Sequence, residues 1–361
     1  MVCSFIFEDT DELTHLNKQL EYLFLAKSCL FLLVGCLDEA FPLEIWAQED
    51  MLNTGDFSMA RMTELLQNFP EINNEPTPSR LPGVLFFKET NHIPKRPMVY
   101  NPGLCIIVQG HKIGYLGDQK FRYDAKQYLV TSVTIPFECE TFATAEDPLR
   151  GLYIDIDMAQ LHELIGRIDA QPRADKAGER ILPCGIGPAI MDEAMLDALT
   201  RLVKCLRTEA EAQILGPAIV REILYWALHG TQAPVLYSLA MHSGTFSQVA
   251  RVLQVMQNDY AGKLEVEQLA KMAHLSVSAF HRAFKEITAD SPLQYLKKIR
   301  LTKARDLMLQ QSVKANMAAD RVGYESASQF SREFKRYFGQ SPAEMSLSQN
   351  QCNRFQNMLL N

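Results

Sequence analysis

The stretch Gly323–Pro342, GYESASQFSREFKRYFGQSP, has a weaker copy of itself fifty residues earlier in the chain. When they are aligned over nineteen positions, Ser276–Gln294 and Ser326–Glu344 are identical at eight of them. The identical pairs are Ser276/Ser326, Ser278/Ser328, Phe280/Phe330, Arg282/Arg332, Phe284/Phe334, Lys285/Lys335, Ser291/Ser341 and Pro292/Pro342. A fixed internal period of this kind, in a chain without low-complexity sequence, indicates one structural unit used twice.

Each copy carries the pattern of an amphipathic helix. Phe280 and Phe284 are four residues apart in the first copy. Phe330 and Phe334 have the same spacing in the second copy. Each pair therefore shares one helix face, which we expect to be buried. The serine before each helix suits an N-cap, and the Ser-Pro pair that closes each copy predicts the start of a further helix.

A short turn precedes each of these helices. It comprises Met272–Leu275 in the first copy and Val322–Glu325 in the second. The small residues Ala273 and Gly323 permit the close approach of two helices that a helix-turn-helix requires. A helix that is apolar on one side and basic on the other, at the end of such a motif, is suited to the major groove of DNA.

The sequence resembles the AraC/XylS family of bacterial transcription regulators. The residues that carry the resemblance are Val322–Ser326, Ser328, Phe330–Arg332, Phe334–Arg336, Phe338–Gly339 and Ser341–Pro342. The resemblance implies two helix-turn-helix units, joined by one long helix, that bind two neighbouring segments of the major groove. It also implies a cytoplasmic, sequence-specific transcription regulator rather than an enzyme.

Helix geometry and the resemblance together place ten side chains at the DNA. The candidates for base contacts are Ser278, His281 and Arg282 in the first unit and Ala327, Ser328, Ser331 and Arg332 in the second. The candidates for phosphate contacts are Lys285, Lys335 and Arg336. Arginine suits a base-reading position because its guanidinium can donate two hydrogen bonds to guanine O6 and N7.

Two alternatives concern the cations of this half of the chain. A salt bridge from Arg332 to Glu333, to Glu325 or to a neighbouring helix would make it a structural residue. The predicted connecting helix, Pro292–Leu309, offers further candidates for phosphate contacts, for which an ordinary solvated face is the alternative. These candidates are Lys297, Lys298, Arg300, Lys303 and Arg305.

Charge is divided unevenly along the chain. The whole chain has a formal net charge of −7, but residues 245–345 contain 15 basic and 10 acidic side chains. The remaining residues contain 21 basic and 33 acidic side chains. This asymmetry fits a DNA-binding part joined to an acidic sensing part, with an ordinary charged surface as the alternative.

Residues 81–157 show the pattern of short strands separated by Gly, Pro and Asp turns, which predicts an all-β barrel or sandwich. The predicted strands are Gly83–Lys88, Leu104–Gln109, Lys112–Leu116, Phe121–Tyr123, Tyr128–Val133, Phe137–Phe142 and Leu152–Asp157. Part of this region resembles the N-terminal effector domain of one AraC-type subgroup. The matching segments are Tyr100–Gly110, Tyr115–Asp118, Tyr123–Ala125 and Gln127–Ser132. The resemblance implies a cupin-like barrel that senses a small molecule.

The predicted fold class is therefore α+β, with a cupin-like β-barrel and helical segment followed by an all-α double helix-turn-helix domain. The predicted divisions are an extension at 1–80, an effector domain at 81–235, a linker at 236–244, a DNA-binding domain at 245–346 and a tail at 347–361. Amphipathic helices after Met158 either form a dimer contact or pack onto the barrel; the sequence favours neither.

The N-terminal extension is the least informative part of the sequence. Family-like sequence begins only near Leu81, so we hypothesise that the native start lies near Met51, Met59 or Met62. Met62–Phe69 predicts a short helix. The uninterrupted apolar run within residues 1–60 is much shorter than the roughly 20 residues that a membrane-spanning helix needs.

Cys105 is a candidate effector-sensing residue. It lies in the apolar run Leu104–Val108, which favours a buried core thiol. The alternative is a sensor thiol modified by an electrophile or oxidant, which requires a lowered pKa and solvent access. The eight cysteines have no zinc-site spacing, and His92 and His111 are isolated, so neither a metal site nor a cofactor is predicted.

Two other classes of protein were weighed against a regulator. The first is a barrel enzyme with a DNA-binding appendage, which no nucleophile–base pair or metal cluster in the sequence supports. A protein-interaction module would not need basic residues at matching places in both repeats. The partners predicted are double-stranded DNA, a small-molecule effector, RNA polymerase and a second copy of the chain, with no membrane.

Overall fold

The computed structural model of the chain describes residues 60–73, 76–168, 184–240 and 244–346. All of them belong to one compact unit, Phe57–Asn361. The predictions for residues 1–59 and for the tail 347–361 lie outside the described residues. Of the three hypothesised starting methionines, only Met62 lies within them.

The described residues before the DNA-binding domain form a curled antiparallel sheet. Its strands are β1 (Thr77–Pro78), β2 (Val84–Glu89), β3 (Ile93–Tyr100), β4 (Gly103–Gln109), β5 (His111–Leu116), β6 (Gln119–Asp124), β7 (Gln127–Thr131), β8 (Ile135–Phe142), β9 (Leu149–Asp155) and β10 (Ile186–Ile190). The strand order is β1-β2-β9-β4-β7-β6-β5-β8-β3, and β10 pairs with β7. All seven predicted strands are present, which confirms the barrel-like sheet.

All three strands that the sequence did not predict, β1, β3 and β10, contain proline. Strand β3, with Pro94 and Pro97, lies at the end of the strand order, where it pairs only with β8. An edge strand tolerates proline, because one row of its backbone N–H groups has no partner strand. Strand β10 contains Gly187 and Pro188 and also pairs with one strand only, β7. Both strands therefore lack the continuous β-branched pattern on which strand prediction depends.

Strand β4 is buried on both faces. Leu104, Ile106 and Val108 belong to one core cluster, whereas Cys105 and Ile107 belong to another. This division follows from the two-residue period of a strand, which sends successive side chains to opposite faces of the sheet. The even-numbered residues pack against helices outside the sheet, and the odd-numbered residues fill its concave side.

The described helices fall into two groups. The first covers the sheet: α1 (residues 60–68), α2 (Met158–Ile168), α3 (Glu193–Cys205), α4 (Glu209–Ala227) and α5 (Ala233–Ala240). The second forms the DNA-binding domain: α6 (Thr245–Asn258), α7 (Val266–Met272), α8 (Val277–Thr288), α9 (Pro292–Gln311), α10 (Ala315–Arg321) and α11 (Ala327–Phe338). Helix α1 agrees with the short helix predicted from Met62 onward.

The first group of helices packs on the sheet through one continuous core. Leu65 of α1, Leu199 of α3 and Ile223 of α4 are all completely buried in the same cluster as Leu104 of the sheet. The buried faces of α3 and α4 therefore pack onto the barrel, which was one of the two alternatives for these helices. Residues 236–240 of the predicted linker are helical, and Leu236 is buried.

The DNA-binding domain begins its helices where the sequence predicts. Ser276 and Ser326 cap α8 and α11, accepting hydrogen bonds from Ala279 N and Gln329 N at 3.3 Å each. At the end of the second copy, Ser341 and Glu344 form a reciprocal capping box: Ser341 Oγ accepts from Glu344 N, and Glu344 Oε2 accepts from Ser341 N. Side-chain caps of this kind satisfy backbone donors that a helix leaves unpaired.

The first helix-turn-helix unit is docked on the sheet. Phe284, Ile287 and Tyr295 share a buried cluster with Val133 and Ile135 of the barrel. Two polar contacts reinforce this interface between the sheet and the first unit, which we call the seam. The hydroxyl of Tyr295 donates to the Thr134 carbonyl at 2.8 Å, and the Gly185 N–H donates to the Ile287 carbonyl at 3.0 Å. Gln257 Nε2 in turn donates to the Tyr295 hydroxyl at 2.9 Å.

Replacing Tyr295 with phenylalanine tests how much this seam stabilises the chain. The change leaves the buried Thr134 carbonyl without its donor, which costs about 1–3 kcal/mol. We expect Tyr295→Phe to lower the free energy of unfolding by that amount in urea denaturation. Tyr260→Phe is the matched control, because the Tyr260 hydroxyl makes no hydrogen bond within the described ranges. Equal stability of the two variants would contradict the assignment.

Candidate nucleic-acid interface

Helices α8 and α11 each bury one face and expose the other. Phe280 and Phe284 of α8, and Phe330 and Phe334 of α11, are at most 1% exposed. The ten residues predicted at the DNA are all exposed: Ser278, His281, Arg282, Lys285, Ala327, Ser328, Ser331, Arg332, Lys335 and Arg336. The predicted division into buried and exposed faces is confirmed, and contact with DNA stays a prediction.

The two turns that set these helices in place differ by one residue. In the second unit Gly323 adopts a left-handed φ of +82°, and a Cβ there would lie 2.3 Å from the carbonyl oxygen of Ala261. In the first unit the left-handed residue is His274, with φ of 54°, rather than the Ala273 that sequence alignment paired with Gly323. The second turn therefore contains one additional residue, Glu325, before its helix.

Backbone hydrogen bonds confirm this shift. Leu275 N donates to Ala270 O in the first turn, and Tyr324 N donates to Ala319 O in the second, each at 3.0 Å. The equivalent turn residues are thus 49 apart, whereas equivalent residues of α8 and α11, the two recognition helices, are 50 apart. Only Gly323 must be glycine for steric reasons, because the backbone of Ala261 leaves no room for a side chain.

Glu333 fastens α11 to the rest of the second unit. Its carboxylate accepts hydrogen bonds from the Tyr324 hydroxyl at 2.8 Å, Lys297 Nζ at 3.1 Å and Gln329 Nε2 at 3.2 Å. Burial raises the pKa of Glu333, but these hydrogen bonds outweigh it and hold the pKa below the usual range. A carboxylate engaged in this way fixes the rotation of the recognition helix about its axis.

The alternative role of Arg332, a salt bridge within the domain, has no support in the described residues. Glu333 is held by the three donors above, and Arg332 forms no ion pair with Glu325 or any other described carboxylate within 4.0 Å. Arg282 of the first unit is likewise exposed and without an ion pair in the described ranges. Both guanidinium groups therefore present their donors to solvent, as a base-reading role requires.

Four of the five candidate cations on the connecting helix α9 bind other groups of the domain, and contact with phosphate stays a prediction. Arg300 donates to three backbone carbonyl oxygens: that of Tyr260 at 2.7 Å, that of Gly262 at 2.8 Å and that of Gly323 at 3.1 Å. Ion pairs hold three others: Lys297 with Glu333, Lys298 with Asp290, and Arg305 with Asp306. The sequence showed basic residues but not their partners, which lie up to 40 positions away.

Cys105 lies inside the curled sheet. Its side chain is 1% exposed, and burial raises the pKa of the thiol to about 11, against the opposing positive charge of Lys112. Both observations favour the core-thiol alternative over a sensor thiol. Lys112 is itself buried and donates from Nζ to the Tyr100 hydroxyl at 3.2 Å.

The remaining clusters of polar residues do not suggest metal chemistry. Among the described residues, no group of three or more His, Cys, Asp or Glu side chains is placed to hold a metal ion. His92 Nε2 lies 3.0 Å from Glu140 Oε1 at the sheet surface, and His111 stacks on Phe142 with ring centroids 4.5 Å apart. None of the helices in the described ranges is both long and apolar enough to cross a membrane.

Two family models match the chain. The model described as "AraC-type transcriptional regulator N-terminus" matches residues 80–235, and the model described as "Helix-turn-helix domain" matches residues 269–347. The first covers strands β2–β10 and helices α2–α4, and the second covers both recognition helices, α8 and α11.

Two curated relatives are transcription activators by name. The RCS-specific HTH-type transcriptional activator RclR of Escherichia coli K12 is 27% identical over 133 residues, which are 37% of this chain and 45% of that protein. The HTH-type transcriptional activator RhaS of Escherichia fergusonii is 27% identical over 161 residues, which are 43% of this chain and 55% of that protein. The chain thus spans about half the length of these relatives.

A solved structure shares the fold. Unsaturated fatty acid bound ToxT from Vibrio cholerae superposes with a TM-score of 0.51 at 11% identity, covering 77% of this chain and 97% of that chain. At this identity the likeness concerns the arrangement of a curled sheet and a helix-turn-helix region.

Substitution of Arg300 separates a structural role from a phosphate contact. Arg300→Gln removes a guanidinium from three carbonyl acceptors, so we expect a loss of about 1–3 kcal/mol in the free energy of unfolding. Lys303→Gln, an exposed change on the same helix, should stay within about 0.5 kcal/mol of the wild type. Urea denaturation measures both. Unchanged stability together with a smaller salt dependence of DNA binding would instead make Arg300 a phosphate contact.

Proposed function

The chain belongs to the AraC/XylS family of transcription regulators, and we propose that it is itself a sequence-specific DNA-binding regulator that responds to a small molecule. In this proposal the double helix-turn-helix domain binds promoter DNA, and the curled sheet with its helices forms the effector domain. As a regulator of this family it acts in the cytoplasm and is not an enzyme.

One observation carries the proposal. The two recognition helices expose matching hydroxyl and basic side chains on one face and bury matching phenylalanines on the other. Burial explains the phenylalanines, but the fold does not use the exposed side chains of Arg282 and Arg332 in any described contact. Repetition of an arginine that the fold does not use is expected of two units that each enter a major-groove segment.

The position on each helix distinguishes two roles. Arg282 and Arg332 lie in the middle of α8 and α11, where a side chain reaches base edges in the groove. Lys285 and Lys335 lie about one turn further on, where a helix leaves the groove and approaches the backbone. The first pair is assigned to base edges and the second to phosphates.

The effector and the protein partners follow from the family assignment. The match to an AraC-type N-terminal domain supports binding of a small molecule, and the ToxT structure with a bound fatty acid gives a precedent for the fold. A regulator of this kind shifts between two states because the effector binds one of them more tightly. Contacts with RNA polymerase and with a second copy of the chain are part of the same proposal.

Selection on genomic DNA tests the proposal. The purified full chain is incubated with fragmented genomic DNA at near-physiological salt, beside an Arg282→Ala/Arg332→Ala double variant and an Arg122→Ala control on the sheet. We expect the wild type and the control to enrich a few promoter fragments, and the double variant to lose that enrichment. Equal binding of all fragments, abolished by added salt, would show an electrostatic surface without sequence recognition.

Single substitutions then distinguish base contacts from phosphate contacts. Arg332→Ala should relax the preference at one base pair by about 1–3 kcal/mol, because it removes a bidentate contact. Lys335→Ala should weaken binding to all sequences alike and reduce the slope of log affinity against log salt by about 1. Titration of a panel of single-base operator variants at several salt concentrations measures both. Uniform weakening by Arg332→Ala would contradict its assignment.

A further inference from the structure

The concave side of the sheet is filled by the protein's own side chains. A Cβ added to Gly103 would lie 2.5 Å from the ring of Tyr153, and one added to Gly114 would lie 2.2 Å from the ring of Phe121. Tyr123 and Leu129 are also completely buried there. An effector therefore finds little room in the interior of the barrel in this arrangement of side chains.

A larger space lies at the seam between the sheet and helix α6 of the DNA-binding domain. It is a cavity of about 620 Å³, within the roughly 300–1,000 Å³ usual for small-molecule sites. It is lined by Pro102 and Val133, in loops between strands of the sheet, and by Ala250 and Leu253 of α6. A ligand held here would touch the effector domain and the DNA-binding domain at once.

The basic residues that line this cavity are Arg251 of α6 and His162 of α2, and only Arg251 carries a permanent charge. Arg251 of α6 lines it, is solvent-exposed, and forms no ion pair or hydrogen bond within the described ranges. No Asp or Glu is among the residues that line the cavity. A guanidinium beside an apolar surface matches a carboxylate with an apolar body, because carboxylate geometry fits the planar fork of arginine.

The cavity also adjoins the hydrogen bonds that hold the seam together. Gln257 and Thr134 both line it, and both bond to the buried Tyr295 hydroxyl from opposite sides of the seam. The Thr134 hydroxyl donates to Asn101 Oδ1 at 3.2 Å, and Asn101 lines the cavity as well. An occupant is thus within reach of the polar groups on both sides of the interdomain contact.

We propose that this seam cavity is the effector site and that its ligand is a small organic monocarboxylate bound through Arg251. The inference rests on the proposed function, since it names the location and chemical class of the effector. Binding there changes the stability of the contact between the two domains, and through it the placement of the recognition helices relative to the sheet.

Calorimetric titration of the full chain tests the site directly. The probes are octanoate and phenylacetate, with octan-1-ol and 2-phenylethanol as uncharged counterparts. We expect at least one carboxylate to bind, and its alcohol to bind at least tenfold more weakly. Arg251→Gln should weaken carboxylate binding at least tenfold, and Ala250→Phe should abolish it by filling the cavity. Arg122→Gln, an arginine elsewhere on the sheet, is the control and should bind as the wild type does.

Several outcomes would overturn the proposal: no binding of either carboxylate, equal binding of acid and alcohol, or unchanged binding by Arg251→Gln. Thermal melting of Ala250→Phe shows whether that variant is folded, and Arg251→Gln gives an independent result if it is not. DNA selection with the wild type and Arg251→Gln separates the two hypotheses. Sequence-specific binding by both proteins, without carboxylate binding, would reject the site and leave the regulator assignment intact.

Discussion

Burial of the repeated phenylalanine pairs is the constraint on which the rest of the DNA-binding domain depends. Phe280 with Phe284, and Phe330 with Phe334, are buried in the core, and the polar face on the opposite side of each amphipathic helix is left exposed. That face carries Arg282 in the first unit and Arg332 in the second. The contacts of Glu333 then fix the orientation of α11 about its own axis. The hydrophobic effect thus determines which side chains remain available for DNA.

A small number of polar contacts joins the two helix-turn-helix units. Arg300, a long cationic side chain in the connecting helix, binds three backbone carbonyls of two separate turns. Its planar fork allows this, since lysine offers a single point of attachment. The first unit is fixed further by the Tyr295 hydroxyl against the sheet. The DNA-binding domain is therefore tied to its neighbours by a few directed polar contacts placed within an apolar seam.

This seam relates the sensing part of the chain to the recognition helices. The core cluster on the concave side of the sheet continues without a break into α6, α8 and α9. A change on one side of a packed apolar contact is transmitted because side chains at native density cannot shift independently. The interdomain cavity beside Thr134 and Gln257 is a local gap in that packing. Because this cavity lies between the two domains, an occupant would contact both of them.

Much of this protein was determined by local sequence. The period of four between phenylalanines, the serine caps and the period of two in β4 predicted the helices, their buried faces and the strands, because these depend on neighbours close in the chain. Only the tertiary structure decided the rest. In the tertiary structure Arg300 binds backbone carbonyls, and Cys105 is a buried thiol. His274, rather than Ala273, is the turn residue equivalent to Gly323, and a cavity lies at the seam. These depend on residues brought together from distant positions, which sequence periodicity does not record.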